Sequence, residues 1–339
     1  MTRVLLSVHH PSRNPYIGQL ADEIDALGQV YYFSWARALF GRFDVFHVHW
    51  AESLYTSGGR ASRFLKRLLV RAFLLRLRIL RRPVVTTMHN RGLHDDLAPA
   101  DLRIYDLLQR SVTLRIFMNP DGSEQWPLTA VIPHGDYRVH LGFPYSPPVD
   151  SGTTVLLQCG QLRPYKNISE LVTAFGETDD EHLRLLIAGS ARPKSYAAEL
   201  QELAQGDPRI AIEEGFLDEP VLAETIASSD LVVLPYPDPY NSGALFMVLS
   251  VGRPVLIRST PETRRLAAEF GEEWVLTFEG GLTGSTLEEA ARSVRGHTYS
   301  TWPDMSGRAW PEIGRAHMAA YEKALNRLRP ARARRGPAS

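Results

Sequence analysis

The sequence predicts an α/β protein made of two doubly wound parallel sheets, one in each half of the chain. Short apolar runs of strand length alternate with segments whose apolar residues recur at every third or fourth position, the pattern of strands and helices in such sheets. The length of 339 residues suits two domains of about 150 residues each better than one core. A proline-rich stretch at 144–152 separates two halves with the same alternation, so we expect the joint between the domains there.

The predicted elements follow from the positions of the apolar residues. In the first half, strands are predicted near 4–8, 30–33, 44–50, 83–88, 114–118 and 130–132, and helices at 17–27, 60–82 and 102–108. In the second half, strands are predicted at 153–159, 183–188, 209–213, 231–235 and 254–258, and helices at 168–177, 195–204, 219–227 and 243–251. We expect an N-terminal domain at 1–146, a second domain at 147–308, a helix at 309–328 that packs back across the joint, and a disordered basic tail at 329–339.

Charge is balanced over the whole chain but concentrated in one helix. Lysine plus arginine and aspartate plus glutamate both number 38, so net charge gives no indication of a nucleic-acid partner. Between Arg60 and Arg82, however, nine cations and no acid are interleaved with leucine and phenylalanine. Such a helix either packs its apolar face on the sheet and leaves its arginines in solvent, or docks on anionic lipid headgroups. Because the sequence shows no aromatic stacking platform or known RNA-binding module, we expect no nucleic acid as partner.

The compartment is indicated by cysteine content and by the lack of long apolar segments. Cys159 is the only cysteine, which excludes a disulfide framework and favours a reducing compartment. Residues 1–3 lead directly into a strand, so we expect no signal peptide. No apolar stretch reaches the roughly 18 residues that a spanning helix needs. We expect a cytoplasmic protein that contacts the inner face of the cell membrane peripherally.

The segment 160–167, Gly-Gln-Leu-Arg-Pro-Tyr-Lys-Asn, has the features of a phosphate-binding loop. It follows an apolar strand and precedes a helix, whose free N–H groups and positive dipole end favour anions. Arg163 offers a planar fork for phosphate oxygens, and Lys166 offers a mobile point charge. Two solvated loop cations would give the same pattern, so the segment alone leaves both interpretations open.

Together with three further segments, this loop resembles the nucleotide-binding domain of GT-B glycosyltransferases, especially the family 4 group. Gly160, Arg163, Lys166 and Asn167 resemble that group's diphosphate-contacting residues, and the turn at Gly189 resembles the one under the nucleotide. The step Glu213-Glu214-Gly215-Phe216 resembles the segment that meets the base. Three more segments of this chain resemble the strand, turn and helix that bind the donor in that group: 230–236, Asn241-Ser242-Gly243 and 252–255. The resemblance implies two Rossmann-like domains facing each other across a cleft.

One departure from the family pattern concerns the reaction's stereochemistry. Retaining members carry two glutamates eight positions apart, and these positions are Pro239 and Met247 here. Ribose binding must therefore come from elsewhere, and Ser242-Gly243 at a helix start could hold the diphosphate. The sequences around Lys166 and Asn241 resemble more closely the bacterial GDP-mannose:glycolipid β-mannosyltransferases, which invert the α-linked donor and use lipid-linked acceptors.

This resemblance implies a nucleotide sugar as co-substrate, with GDP-mannose favoured, and a glycan or lipid-linked saccharide as acceptor. A UDP-sugar donor and a non-catalytic nucleotide-sugar-binding protein are the alternatives. We expect no metal, since the acidic motif that holds a divalent ion in other glycosyltransferases has only a loose match at 179–181.

An inverting transfer also needs a general base on the acceptor side. The candidates are Asp95, Asp96 and His89, with the two aspartates favoured as bases, although either could be a solvated carboxylate or a helix cap. The resemblance places His89 near the donor sugar and phosphate. Further acceptor-side candidates at the carboxyl ends of the predicted strands are His9, Arg13, Asn14, His49, Glu52 and His134. We expect Gly135 to supply a turn with positive φ.

Overall fold

The chain divides into two compact units. A computed structural model describes residues 1–10, 14–90, 92, 97–145 and 152–329. The first unit comprises Met1–Gly135 and the chain from Arg308 onward, and the second comprises Asp136–Gly307. The division falls after Gly135, whereas the sequence analysis placed it between 146 and 147.

The first unit contains a six-stranded parallel sheet with the order β2-β1-β3-β4-β5-β6. Its strands are β1 (Arg3–Leu6), β2 (Gln29–Tyr31), β3 (Val45–Val48), β4 (Val84–Met88), β5 (Val112–Phe117) and β6 (Thr129–Val131). Its helices before the division are α1 (Pro15–Leu27), α2 (Trp35–Phe40), α3 (Arg60–Ile79) and α4 (Pro99–Ser111). Side chains alternate along each strand, so Val4 and Leu6 pack against α1 while Leu5 packs on the opposite face with residues of α3 and α4.

The second unit contains a six-stranded parallel sheet with the order β12-β11-β10-β7-β8-β9. Its strands are β7 (Thr154–Cys159), β8 (Leu183–Gly189), β9 (Ile210–Glu214), β10 (Leu231–Leu234), β11 (Val255–Arg258) and β12 (Val275–Phe278). Its helices are α5 (Arg138–Leu141), α6 (Ile168–Gly176), α7 (Ser195–Ala204), α8 (Glu219–Ala227), α9 (Gly243–Val251), α10 (Pro261–Phe270) and α11 (Gly284–Arg295). Helix α9 is buried along almost its whole length because nearly all its residues are apolar.

The final helix, α12 (Trp310–Leu328), returns to the first unit and packs against α1. Its Trp310 explains the glycine at 135, since a Cβ there would overlap the indole ring. Gly135 is not among the glycines with positive φ, so the expectation of a left-handed turn at this position was wrong. Among the described residues, no helix is long and apolar enough to cross a membrane.

Candidate functional site

In the second unit, the polar loops after β7 and β10 meet where the strand order reverses. Strand β7 lies between β8 and β10, so the connections leave it in opposite directions and open a crevice at the carboxyl edge. Lys166, in the loop after β7, has its Nζ 5.1 Å from the ring centroid of Tyr236, which follows β10. The predicted phosphate loop therefore lies at the position where open α/β sheets bind ligands.

Two glycines allow the backbone at this edge to approach closely. Gly160 has φ 98° and Gly189 has φ 149°, and a Cβ on Gly189 would overlap the carbonyl oxygen of Gly160. The N–H of Gly215 donates to the carbonyl of Gly189 at 3.1 Å, which ties the end of β9 to the same point. Apart from the adjoining residues of the chain, no described residue has an atom within 4 Å of a Cβ built on Gly160 or Gly215, so the space beside them is open to a ligand.

Arg163 and Lys166 bring two cations to this space, and no carboxylate among the described residues pairs with either of them. Both side chains are half-buried. Arg163 donates through Nε to Gln161 at 3.2 Å, and its terminal nitrogens have no partner among the residues that the structure describes. Burial lowers the pKa of Lys166, and the nearby guanidinium of Arg163 lowers it further. The negative charge of an anion bound here would raise the pKa of Lys166 and so offset both effects.

The turn after β10 is held by a residue that the sequence analysis missed. Asn241 has φ 49°, and its N–H donates to the buried carboxylate of Glu262 at 3.1 Å. Ser242 is the N-cap of α9, and its side chain does not cap the first turn, so N–H groups of that turn remain available to an anion. The sequence pattern that could have located Glu262 is the Thr260–Thr263 capping box at the start of α10, because Glu262 lies in the first turn of that helix.

The remaining donor-side candidates lie at the rim of the same edge. Glu213 and Glu214 are exposed at the end of β9, and Phe216 is 80% exposed. Pro239 and Met247, which stand where the resemblance would place two glutamates, are both buried. Tyr236 and Gln158 are both buried.

In the first unit, two histidines from neighbouring strands form a hydrogen-bonded pair at the carboxyl edge. His49 follows β3 and His89 follows β4, and His49 Nδ1 lies 2.8 Å from His89 Nε2. Trp50 stacks on the His89 ring with centroids 4.3 Å apart. Trp50 has φ 47°, a left-handed conformation that is costly for a large residue and clusters at functional sites. Ser7 fixes the backbone of His49 through hydrogen bonds of 2.7 and 2.8 Å.

The surroundings of this pair determine which nitrogen of His89 carries the proton. Burial lowers the pKa of His89 to about 3 and that of His49 well below its ordinary value, so both rings are neutral at pH 7. His49 Nε2 is buried without a partner among the described residues. Because an unpaired buried N–H is rarer and costlier than an unpaired lone pair, we infer that Nδ1 of His49 carries its proton and donates a hydrogen bond to His89 Nε2. His89 is then protonated on Nδ1 and acts there as a hydrogen-bond donor.

A pocket of about 50 Å³ adjoins this pair, and its lining includes Glu52, His89, Asn90 and Gly92. Glu52 is half-buried and is the acidic residue in that lining. The favoured base candidates Asp95 and Asp96 lie outside the described residues, as does Arg13, so they stay predictions.

The other acceptor-side candidates have packing or capping contacts. His9 is exposed, and its Nδ1 lies 3.1 Å from the carbonyl of Phe33. Asn14 caps α1 by accepting a hydrogen bond from the N–H of Tyr16 at 3.0 Å. His134 is buried against the Tyr16 ring, with centroids 4.8 Å apart.

Comparison with known proteins identifies the family. Residues 153–280 match the family described as glycosyl transferases group 1. A GDP-mannose:glycolipid 4-beta-D-mannosyltransferase of Xanthomonas campestris pv. campestris is 32% identical over 329 residues, which make up 96% of this chain and 93% of that protein. The chain belongs to the group 1 glycosyltransferases. It is therefore a sugar-transferring enzyme.

Solved structures show the same GT-B fold at much lower identity. AviGT4, a glycosyltransferase involved in avilamycin A biosynthesis, is 14% identical with a TM-score of 0.59, over 96% of this chain and 98% of that chain. Anabaena Alr3699/HepE, solved in complex with UDP, is 16% identical with a TM-score of 0.58, over 97% of each chain. The prediction of two doubly wound α/β domains is confirmed.

Four buried histidines and the half-buried His89 distinguish the first unit of this glycosyltransferase from the second. His47, His49, His89, His134 and His317 are all kept neutral by burial, with pKa values of about 3 for His89 and about 4 for His134 and His317. His47 lies between Thr87 Oγ1 and the Tyr321 hydroxyl, each 2.8 Å away. In the second unit, no histidine is buried among the residues that the structure describes.

The first unit should therefore lose stability before the second as the pH falls from 7 to 5. Each histidine has a folded pKa below its unfolded value of about 6.5, so the unfolded chain binds more protons in this range and stability falls with pH. Hydrogen exchange read by mass spectrometry at pH 7, 6 and 5, corrected for intrinsic rates, should show protection lost in β1, β3 and β4 but retained in β7, β8 and β10. Equal losses in the two sheets would contradict this expectation.

Proposed function

We propose that this glycosyltransferase transfers mannose from GDP-mannose to a lipid-linked saccharide with inversion at the anomeric carbon. The observation that carries this choice is the 32% identity to a GDP-mannose:glycolipid 4-beta-D-mannosyltransferase across nearly the full length of both chains. The site supports it through the unbalanced cations at the switch point of the second sheet, which suit a nucleoside diphosphate.

In the proposed reaction, the acceptor hydroxyl attacks the mannose C1 as the bond from C1 to the β-phosphate oxygen breaks. GDP leaves with the electron pair of that bond, and Arg163 and Lys166 neutralise its developing charge together with N–H groups at the start of α9. These groups supply positive charge without a metal, so we propose a metal-independent transfer. The apolar residues at 239 and 247 favour inversion, since the carboxylates of retaining relatives are missing there.

The proton of the acceptor hydroxyl needs a carboxylate in the first unit. Asp95 and Asp96 remain the favoured bases, and Glu52 is a further candidate because it lines the pocket beside His89. We propose that His89, protonated on Nδ1, donates a hydrogen bond to an oxygen of the donor rather than taking the acceptor's proton.

The α3 helix supports a peripheral contact with an anionic membrane. Its inner face buries Val70, Phe73 and Leu77, yet a second apolar stripe is exposed: Phe64 by 61%, Leu68 by 45%, Leu75 by 58% and Ile79 by 69%. Several cations of the helix are engaged within the protein, since Arg63 and Arg67 pair with Asp101, and Arg76 and Lys66 bond to backbone or hydroxyl oxygens. Arg82, which follows the helix, pairs with Asp44. An exposed apolar stripe with flanking arginines fits the interface of a bilayer. We propose a cytoplasmic location at the inner face of the cell membrane, with no nucleic acid as partner.

A donor panel tests the proposed reaction. The purified chain is incubated with GDP-mannose, UDP-glucose, UDP-galactose or ADP-glucose and a bacterial membrane lipid extract, and the product is analysed by NMR. We expect transfer from GDP-mannose alone, with a β-linked mannosyl product. Among D95N, D96N and E52Q, the variant of the base should lose transfer while still binding GDP.

An α-linked product would refute inversion, and transfer from a UDP-sugar would refute the donor. Nucleotide binding without transfer or donor hydrolysis would refute the enzymatic role.

A further inference from the structure

We propose that a groove at the amino-terminal edge of the first sheet is a binding site for one anionic phospholipid of the bilayer. The groove has a volume of about 530 Å³ and lies between the second half of α3 and the end of α4, beside Val84 and Thr113 at the starts of β4 and β5. Among the described residues, five arginines and several leucines line it, and no acidic residue does. The inference rests on the proposed membrane contact of α3 and adds a discrete lipid site to it.

Three of these arginines have no counter-charge within the described part of the chain. Arg78, Arg81 and Arg110 are exposed, and their guanidinium groups have no hydrogen-bond or ion-pair partner in the described ranges. By contrast, Arg82 pairs with Asp44 at 2.8 Å, and Arg71 donates to the carbonyl of Arg67 at 3.3 Å. Like charges gathered around one groove repel each other, and guanidinium groups bind phosphate oxygens in a bidentate manner. The rim of the groove thus fits a phosphate group.

The apolar part of the groove favours a lipid over a free phosphate. Leu75 is 58% exposed, Leu107 is 38% exposed, and Leu328 of α12 is half-buried beside them. Leu75 also belongs to the exposed apolar stripe of α3 that is proposed to face the bilayer. Leu75 therefore connects the groove to the surface of α3 that is proposed to face the bilayer.

The groove is separate from the place where the sugar must react. It lies at the amino ends of β4 and β5, whereas His89 follows the carboxyl end of β4. The five residues of β4 separate these edges by about 13 to 17 Å. The 20-residue helix α3 extends over about 30 Å and so reaches both edges. The groove is therefore assigned to attachment of the enzyme and not to the reacting end of the acceptor.

The test compares two triple variants of equal net charge. R78Q/R81Q/R110Q removes the cations of the groove, and R42Q/R103Q/R292Q removes three exposed arginines outside it. Binding of the full chain to vesicles of phosphatidylcholine with phosphatidylglycerol is measured by sedimentation. We expect the groove variant to bind about 100-fold more weakly than wild type, and the control variant to change about threefold or less. Both should keep wild-type transfer to a water-soluble acceptor, which shows that they are folded.

A second measurement separates the lipid from its headgroup. Native mass spectrometry of wild type with a short-chain phosphatidylglycerol should show one lipid per chain, and L75Q/L107Q should lose it. Inorganic phosphate and glycerophosphoglycerol should not compete at concentrations that exceed the lipid tenfold. Competition by free phosphate would overturn the proposal in favour of a phosphate site. In the vesicle experiment, an equal loss of binding in both triple variants would overturn it in favour of a diffuse charge attraction.

The outcomes also separate this inference from the proposed function. If wild type does not bind anionic vesicles, both the membrane contact and the groove site fail. If it binds them and the groove variant binds equally well, only the groove site fails.

Discussion

Lys166→Ala is expected to lower kcat/KM for the nucleotide sugar by about 10²- to 10³-fold, the usual cost of removing one group that stabilises charge at the transition state. Lys166 Nζ has no carboxylate partner among the described residues and lies over the Tyr236 ring at the switch point, so a bound diphosphate would be its counter-ion. Arg163→Ala should also lower kcat/KM for the nucleotide sugar. Because a lysine cannot provide the planar fork of a guanidinium, Arg163→Lys should recover only part of the loss.

The measurements are steady-state kinetics with GDP-mannose and calorimetry with GDP. Lys194→Ala, at an exposed position before α7, is the matched control and should leave both unchanged. If the lysine stabilises mainly the departing diphosphate, kcat falls more than GDP affinity does. Wild-type GDP affinity together with wild-type kcat in K166A would show that the loop after β7 does not hold the leaving group.

The features of this site that sequence reasoning found are those encoded in one short segment. Parallel strands buried on both faces appear as continuous apolar runs such as 154–159, and the glycine and cations that follow them stand next to the strand in the chain. The role of Gly189 is partly visible in the same way, because a glycine that ends a buried strand permits a close backbone approach. The carboxyl edge of the second sheet was predictable for this reason.

What the sequence analysis missed depends on contacts between distant residues or on weak local patterns. The bond between the Tyr321 hydroxyl and His47 joins positions 274 residues apart, and neither residue has a local signature. Helix α10 was not assigned because its charged residues are as numerous as its apolar ones, although Thr260-Pro261 is a helix start signal. Helices α2 and α11 and strand β12 were not assigned either. The structure divides the chain after Gly135 and not between 146 and 147, because α12 belongs to the first unit and its Trp310 covers Gly135.

The second large effect is expected at the histidine pair, because its geometry specifies one nitrogen of His89 as the functional atom. His89 Nε2 is hydrogen-bonded to His49, so the Nδ1–H of His89 is the group that can donate a hydrogen bond to the substrate. The amide nitrogen of asparagine lies close to the position of Nδ1, and that of glutamine lies close to Nε2. His89→Gln should therefore lower kcat by about 10²- to 10³-fold, whereas His89→Asn should retain a substantially larger share of activity.

His49 acts in this scheme as a positioning residue. His49→Ala should lower kcat by about 10- to 100-fold, the size of effect seen when a partner that orients a functional histidine is removed. His49→Asn keeps an N–H donor near the position of Nδ1 and should restore much of the loss.

If His49 only supports the fold, removing its side chain should leave the tautomer of His89 unchanged. The tautomer of His89 therefore distinguishes a positioning role of His49 from a structural one. Two-bond ¹H–¹⁵N correlation spectra of histidine-labelled protein should show His89 as the Nδ1–H tautomer in wild type and in H49N. In H49A the released Nε2 should become protonated in a substantial fraction of molecules, since Nε2–H is no longer opposed by a facing N–H. An Nε2–H tautomer of His89 in wild type would mean that the proton in the pair runs from His89 to His49. His89 would then present a lone pair at Nδ1, and the proposed donor contact to the nucleotide sugar would be lost.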